Sequence, residues 1–157
     1  MDGHGAWRIV VAGRADYTGA VFVRAEDNNA AAVNFLDEVT ANHQSLGTDL
    51  RAMATQELKN VDMQAGNRVL TIHITPVTEL AVREANVVGN KAPAAELITR
   101  VNNQVAKSLG TEGLDITGLA VTTNSSGFNA QDGLSNAEKY GILLAKLSGL
   151  DKANGGS

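Results

Sequence analysis

Few of the 157 residues have the types and spacing that catalysis or ligand chemistry needs. There are three histidines and no cysteine, which removes disulfides, thiolate zinc sites and thiol nucleophiles together. His4 lies in a polar leader, His43 in a polar passage (DEVTANHQS), and His73 stands alone between Thr71 and Thr75. None of the three has the spacing of metal ligands, and a lone histidine in an extended stretch is far more often structural. The patch Thr71, His73 and Thr75 is the one that resembles a catalytic surface. It lacks a carboxylate in its own pattern to orient the imidazole and a Ser or Cys nucleophile beside it. Asn124-Ser125-Ser126-Gly127 lacks the leading glycine and the strand-to-helix setting of a nucleophile elbow, so it reads as a turn. Asn129, Gln131 and Asp132 beside Gly133 form a fragment of a calcium loop without its alternating aspartates or terminal bidentate glutamate, and a solvated loop is the better reading. Neither GxGxxG nor GxxxxGK[ST] follows a strand, so no phosphate cradle is expected. No catalytic, cofactor-binding or metal-binding residue is therefore assigned, and a small hydrolase is the least favoured class.

The elements that would position these residues change character at Asn67–Val88 (NRVLTIHITPVTELAVREANVV). From Val69 to Thr75 the residues alternate, with Leu70, Ile72 and Ile74 on one side and the Thr and His residues on the other, which predicts a strand. Pro76 then suits a first helical turn, with Thr75 able to cap it. The spacing predicts a helix over 76–88 whose buried stripe is Val77, Leu80, Ala81, Ala85 and Val88, leaving Glu79, Arg83 and Glu84 to water. Gly89-Asn90 would close it.

Upstream, Trp7–Val11 and Tyr17–Arg24 read as strands joined by a turn through Gly13 and Asp16. In the second of these, either face could be the core. Glu26–Ala32 is a loop, Val33–Leu36 a short strand, and Asn60–Asn67 a turn. Asp49–Leu58 (DLRAMATQEL) has helix-forming composition, yet Leu50, Ala52 and Ala54 alternate with Arg51, Met53 and Thr55, and its neighbours are strands. A strand is the reading adopted. Downstream, Pro93 opens a helix with the stripe Leu97, Ile98, Val101, Val105 and Leu109, closed by Gly110. The connection 111–133 is tacked down by Leu114, Ile116, Leu119 and Val121. Ser135 and Glu138 form a capping box for a third helix buried through Tyr140, Leu143, Leu144 and Leu147 and ended by Gly149.

The expected architecture is α+β: an antiparallel sheet of about five strands, sandwich-like, in the first half, followed by three helices. One module spans 1–157, mainly β over 1–75 and mainly helical over 76–150, with 1–6 and 151–157 as flexible ends. Aromatics are 4% of the chain against 43% hydrophobic residues, so the core is aliphatic and there is little to build a stacking platform. A net charge of −4 argues against nucleic acid as a partner. No apolar run approaches the ~18 residues of a membrane span, and the acidic, polar Met1–Gly5 is no secretory signal, so export would need one upstream.

Tyr17–Arg24 (YTGAVFVR), Phe35–Thr40 (FLDEVT), Leu46–Ala52 (LGTDLRA), Ile74–Ala85 (ITPVTELAVREA) and Tyr140–Gly156 (YGILLAKLSGLDKANGG) occur in that order. Together they resemble a module of very large repetitive bacterial surface and secreted proteins of the adhesin-like, biofilm-associated kind, where it follows Ig-like repeats. The resemblance spans nearly the whole chain and is strongest in TPVTELAVREA, where the family pattern usually has Leu in place of Val77. Such modules usually continue past the KANGG phrase. The resemblance implies no catalytic residues and no cofactor. It implies a non-enzymatic structural or adhesive module, outside the cell or on its surface, whose partners are neighbouring domains of the same long chain and a host or surface glycan or peptide. The alternative expectation is a ligand-binding domain that captures a peptide or glycan where the sheet meets the helices.

Overall fold

The computed structural model describes residues 19–26, 35–36, 43–44, 49–55, 61–64, 67–119 and 133–153. Strands come first: β1 (Ala20–Ala25), β2 (Phe35–Leu36), β3 (His43–Gln44), β4 (Leu50–Thr55), β5 (Val61–Gln64) and β6 (Asn67–Leu70). Three helices follow, α1 (Pro76–Glu84), α2 (Ala95–Ser108) and α3 (Asn136–Ala153). The fold is mixed α+β, strand-rich before Pro76 and helical after it.

The described strands pair two by two rather than in one five-stranded sheet. Among the described residues the pairs are β1 with β4, β2 with β3 and β5 with β6, all antiparallel. The β1–β4 pair has a physical reason to stop at β4. The carbonyls of Arg51 and Met53, two residues apart, project from one edge of the strand. Thr78 Oγ1 on α1 donates to the first at 3.0 Å and Asn102 Nδ2 on α2 to the second at 3.1 Å. Side chains of two helices thus occupy the edge that another strand would need.

The strand reading of 49–58 holds for Leu50–Thr55, where Leu50, Ala52, Met53, Ala54 and Thr55 are all buried. Burial on both faces explains why its alternation looked ambiguous. The core side of β1 is now defined: Phe22 lies opposite Met53, and Ala20 and Phe22 pack on the hydrophobic cluster. Two boundaries differ from expectation. Residues 61–64, expected in a turn, form β5 and pair with β6, and His43, expected in a loop, lies in β3. The strand expected over 69–75 stops pairing at Leu70, and residues 71–75 belong to no ladder, the segment being held where His73 N–H donates to Thr117 O at 2.7 Å. Alternation reports extended backbone and does not by itself specify a ladder.

The first helix starts as expected and is turned differently. Thr75 caps it from an extended conformation and Pro76 occupies its first turn. Its buried residues are Val77, Thr78, Glu79, Ala81 and Val82, whereas Leu80 is 42% exposed and Val88 84% exposed. Leu80 and Val88 were therefore misplaced inside and Glu79 misplaced outside. The small side chains Thr78 and Ala81 let the helix lie close on β4, and the bulkier Leu80 is left on the far side. The helix also ends earlier than Gly89-Asn90. Asn86 takes the left-handed conformation (φ 52°), with Asn86 N–H donating to Arg83 O and Val87 N–H to Val82 O, the paired bonds of a Schellman end.

The other two helices follow their patterns more closely. In α2, Ile98, Val101, Val105 and Ala106 are buried, with Leu97 and Leu109 packed on the same cluster. Gly110 (φ 73°) closes it, with Gly110 N–H on Lys107 O and Thr111 N–H on Ala106 O. The capping box of α3 is formed, Glu138 N–H on Ser135 Oγ at 3.2 Å and Ser135 N–H on Glu138 Oε2 at 2.8 Å. Gly149 does not end α3, which runs on to Ala153. A glycine stops a helix by turning left-handed, and Gly149 keeps helical geometry. The expected flexible stretch 151–157 is thus helical in its first three residues. Trp7–Val11 and Val121 lie outside the described residues.

Candidate functional site at the sheet–helix junction

Among the described residues, polar side chains converge where β4, α1, α3 and the 115–118 turn meet, and the stretch Thr75-Pro76-Val77-Thr78-Glu79 supplies three of them, Thr75, Thr78 and Glu79. Thr75 and Thr78 cap the helix reciprocally: Thr78 N–H donates to Thr75 Oγ1 at 3.3 Å, and Thr75 N–H to Thr78 Oγ1 at 2.9 Å. This is a capping box with Thr where Glu or Gln is usual. The Thr78 hydroxyl has two carbonyls within reach of its hydrogen, Thr75 O at 2.8 Å and Arg51 O at 3.0 Å, so the same side chain that closes the helix also fastens it to β4.

Tyr140 extends the network to α3. Its ring is fully buried, its hydroxyl donates to Ile116 O at 3.1 Å, and it lies 2.7 Å from Thr75 Oγ1. A phenol has one hydrogen, so the direction of the second bond follows: Thr75 donates to Tyr140. The donors form a single file, Thr78 N–H to Thr75 Oγ1, Thr75 hydroxyl to Tyr140 Oη, Tyr140 hydroxyl to Ile116 O. Burial pushes the Tyr140 phenol up to about 12, which keeps it protonated as this file requires.

Beside it sits a carboxylate held by two arginines. Glu79 is buried, and Arg51 grips it with both ends of its fork, Nε to Oε2 at 3.0 Å and Nη2 to Oε1 at 2.6 Å. Arg83, one turn on, adds Nε to Oε1 at 2.9 Å. Burial alone would raise the Glu79 carboxyl, but the bonds from Arg51 and Arg83 outweigh it and hold it below its ordinary value. Arg51 is directly opposite Arg24 across the β1–β4 pair. Like charges there repel, and each is neutralised by its own acid, Arg24 through Asp49 and Glu26.

His73, Thr71 and Thr75 do not form a common surface. Thr71 is exposed, His73 half-buried and Thr75 buried in the relay. A carboxylate does act on His73, and it comes from outside the strand pattern: Asp115, whose Oδ1 accepts from Thr117 N–H, Thr117 Oγ1 and Gly118 N–H at 2.9–3.0 Å. Burial lowers the imidazole below its ordinary value against the opposing pull of Asp115. His4, the turn Asn124–Gly127 and the ligand-like residues Asn129, Gln131 and Asp132 lie outside the described residues. Among those described, no group of three or more His, Asp or Glu residues is placed to hold a metal ion, and no helix is long and apolar enough to cross a membrane.

The sequence reading missed Tyr140 as a hydrogen-bonding residue, Thr78 as half of a cap, and the Arg51–Glu79 pair. One signal was available for the last: Glu79 and Arg83 are four apart on one helix. Arg51 is 28 residues from Glu79, a separation that no local pattern reports. A shallow depression of about 460 Å³ lies elsewhere, on α2 and the following turn, between Arg100, Asn103, Gln104, Lys107, Glu112 and Gly113. Lys107 there pairs with Glu112 at 3.3 Å. No family model matches the chain, and no curated protein or solved structure does so either.

Proposed function

We propose that the chain is a non-enzymatic structural or adhesive module of a large bacterial surface or secreted protein, acting as a spacer, as a packing unit between neighbouring domains or as an adhesive surface. The observation that carries this reading is how the TPVTE stretch, the strongest part of the resemblance, uses its polar residues. Thr75, Thr78 and Glu79 each bond to other parts of the fold, to Tyr140, to the Arg51 carbonyl and to the Arg51 and Arg83 guanidiniums. Such groups brace strand, helix and helix against one another, which is what a module transmitting load along a chain requires. The alternative, capture of a peptide or glycan at the same junction, would have a ligand compete with these bonds.

The test is made on intact producing cells. Brief external protease treatment should remove the epitope of an antibody raised against this chain. An epitope that survives on intact cells and is lost only after lysis overturns the surface assignment. The purified protein, run over glycan and peptide arrays, separates adhesion from a spacing role. Hydrolysis of an ester, peptide or glycoside that His73→Ala abolishes while the variant stays folded would overturn the non-enzymatic reading.

A further inference from the structure

The junction commits its polar groups to the fold, and the depression on α2 does not. Arg100, Asn103, Gln104 and Lys107 recur at i, i+3, i+4 and i+7, on the face of α2 turned away from the buried Ile98, Val101 and Val105, and the turn after the helix adds Glu112 and Gly113. Lys107 is joined to Glu112 at 3.3 Å. Among the described residues, the side chains of Arg100, Asn103 and Gln104 have no hydrogen-bond or ion-pair partner. We propose that this depression binds an acidic sugar, a ring that carries one carboxylate among its hydroxyls, such as a uronate unit of a polysaccharide.

Charge selects the carboxylate. Lys107 and Glu112 neutralise each other, which leaves Arg100 as the surplus cation of the depression in a chain of net charge −4. Its guanidinium is a planar fork that meets a carboxylate with two parallel charge-assisted bonds. Bare carbonyls at the end of the helix would oppose an anion, and they are occupied: Gln104 O accepts from Ser108 Oγ, Ala106 O from Thr111 N–H and Thr111 Oγ1, and Lys107 O from Gly110 N–H.

The carboxamides select hydroxyls. Asn103 and Gln104 each offer two donors and an acceptor, with Lys107 and Glu112 adding one group of each kind, and a sugar hydroxyl donates and accepts at once. An acidic peptide would use Arg100 and leave that set idle. A volume of about 460 Å³ accommodates a sugar ring. At Gly113 nothing lies within 4 Å of where a Cβ would stand, so the backbone of the turn is open to the ring. The walls are formed before a ligand arrives, because Thr111 ties the turn to α2, Leu114 N–H donates to Thr111 O at 3.0 Å and Leu114 is buried. Binding then has only exposed side chains to order.

This site makes the adhesive branch of the proposed function specific, and it rests on that branch. Binding by the purified protein does not depend on where the chain resides, so a negative titration strikes the site and leaves surface exposure to the protease experiment. The probe is an aldobiuronic acid, a disaccharide of one uronate and one neutral sugar, followed by nitrogen–proton correlation spectra at low salt. Saturable shifts should appear at the amides of Asn103, Gln104, Glu112 and Gly113. The carboxyl-reduced disaccharide and a capped peptide with a single glutamate should each bind about tenfold more weakly, and Arg100→Gln should lose about tenfold for the acid. The remaining spectrum of that variant should be retained, because Arg100 is exposed. No saturable shifts at those amides, or binding of the acid matched by the reduced sugar, by the peptide or by Arg100→Gln, overturns the proposal.

Discussion

Replacing Tyr140 by Phe removes one oxygen and leaves the ring, so the packing of a fully buried side chain is kept while its two hydrogen bonds are lost. The cost comes from the groups left behind. Ile116 O loses its Tyr140 donor, and the Thr75 hydroxyl, buried at 7% exposure, loses its acceptor. Each stranded buried group costs about 1–3 kcal/mol, and the Thr75 oxygen still accepts from Thr78 N–H, so about 2–4 kcal/mol is expected for the pair. For a domain of this size that lowers the melting temperature by roughly 4–16 °C. Urea unfolding followed by circular dichroism reads the change directly, with an unchanged slope showing that the folded state is still compact. A double-mutant cycle with Thr75→Val isolates the pair itself, because Thr75→Val alone also removes the helix cap. A coupling energy indistinguishable from zero, or a loss under about 0.5 kcal/mol for Tyr140→Phe, refutes the relay.

Glu79→Gln should cost about 2–4 kcal/mol at neutral pH. That is less than the ~3–5 kcal/mol of a fully buried pair, because Arg83 is 64% exposed and water screens its share. The wild-type advantage is present above the unfolded carboxyl value and lost as pH falls through the lower folded one, so the gap between the two urea curves should narrow as pH falls below the ordinary carboxyl value; a gap that stays constant under acid would show that Glu79 charge is not the cause. Ile98→Ala, at 1% exposure, should cost about 2–5 kcal/mol, while Leu80→Ala, at 42% exposure, should stay under about 1 kcal/mol; the reverse order in thermal unfolding would mean that α1 is rotated from the orientation described. Ser135→Ala should cost about 0.5–2 kcal/mol in the same assay, and Ser135→Asp should restore most of it, since either side chain can accept from Glu138 N–H.

What the sequence made legible was local. The capping box at Ser135 and Glu138, the Thr75-Pro76 helix start and the α2 stripe depend on residues within a turn or two of each other, and all are present. The face of α1 was misread because the largest apolar residue was taken as the buried one. The packing instead favours Thr78 and Ala81, whose small side chains allow close approach to β4, and it pulls Glu79 inward because Arg51 on that strand can neutralise it. Gly89 and Gly149 were read as stops on residue type alone, whereas Asn86 turned the first helix and nothing turned the third at Gly149. At the junction the decisive partners are 65 residues apart for Thr75 and Tyr140, and 24 for Ile116 and Tyr140. Pairing over such distances is set by the assembled fold and leaves no periodic trace.

Those separations bear on the order in which the chain can become native as it leaves the ribosome. The strands and α1 emerge with Thr75 already placed to cap its helix, yet the acceptor for its hydroxyl and the donor for Ile116 O sit on a helix made later. Until residue 140 has cleared the exit tunnel, the hydrophobic cluster that holds Met53, Val77 and Ile116 lacks its α3 members Tyr140 and Leu144. A pause or truncation in that interval therefore exposes a partly folded intermediate to aggregation or proteolysis. In refolding from urea, late arrival of α3 would place Tyr140→Phe chiefly on the unfolding limb, speeding unfolding and leaving the folding rate nearly unchanged.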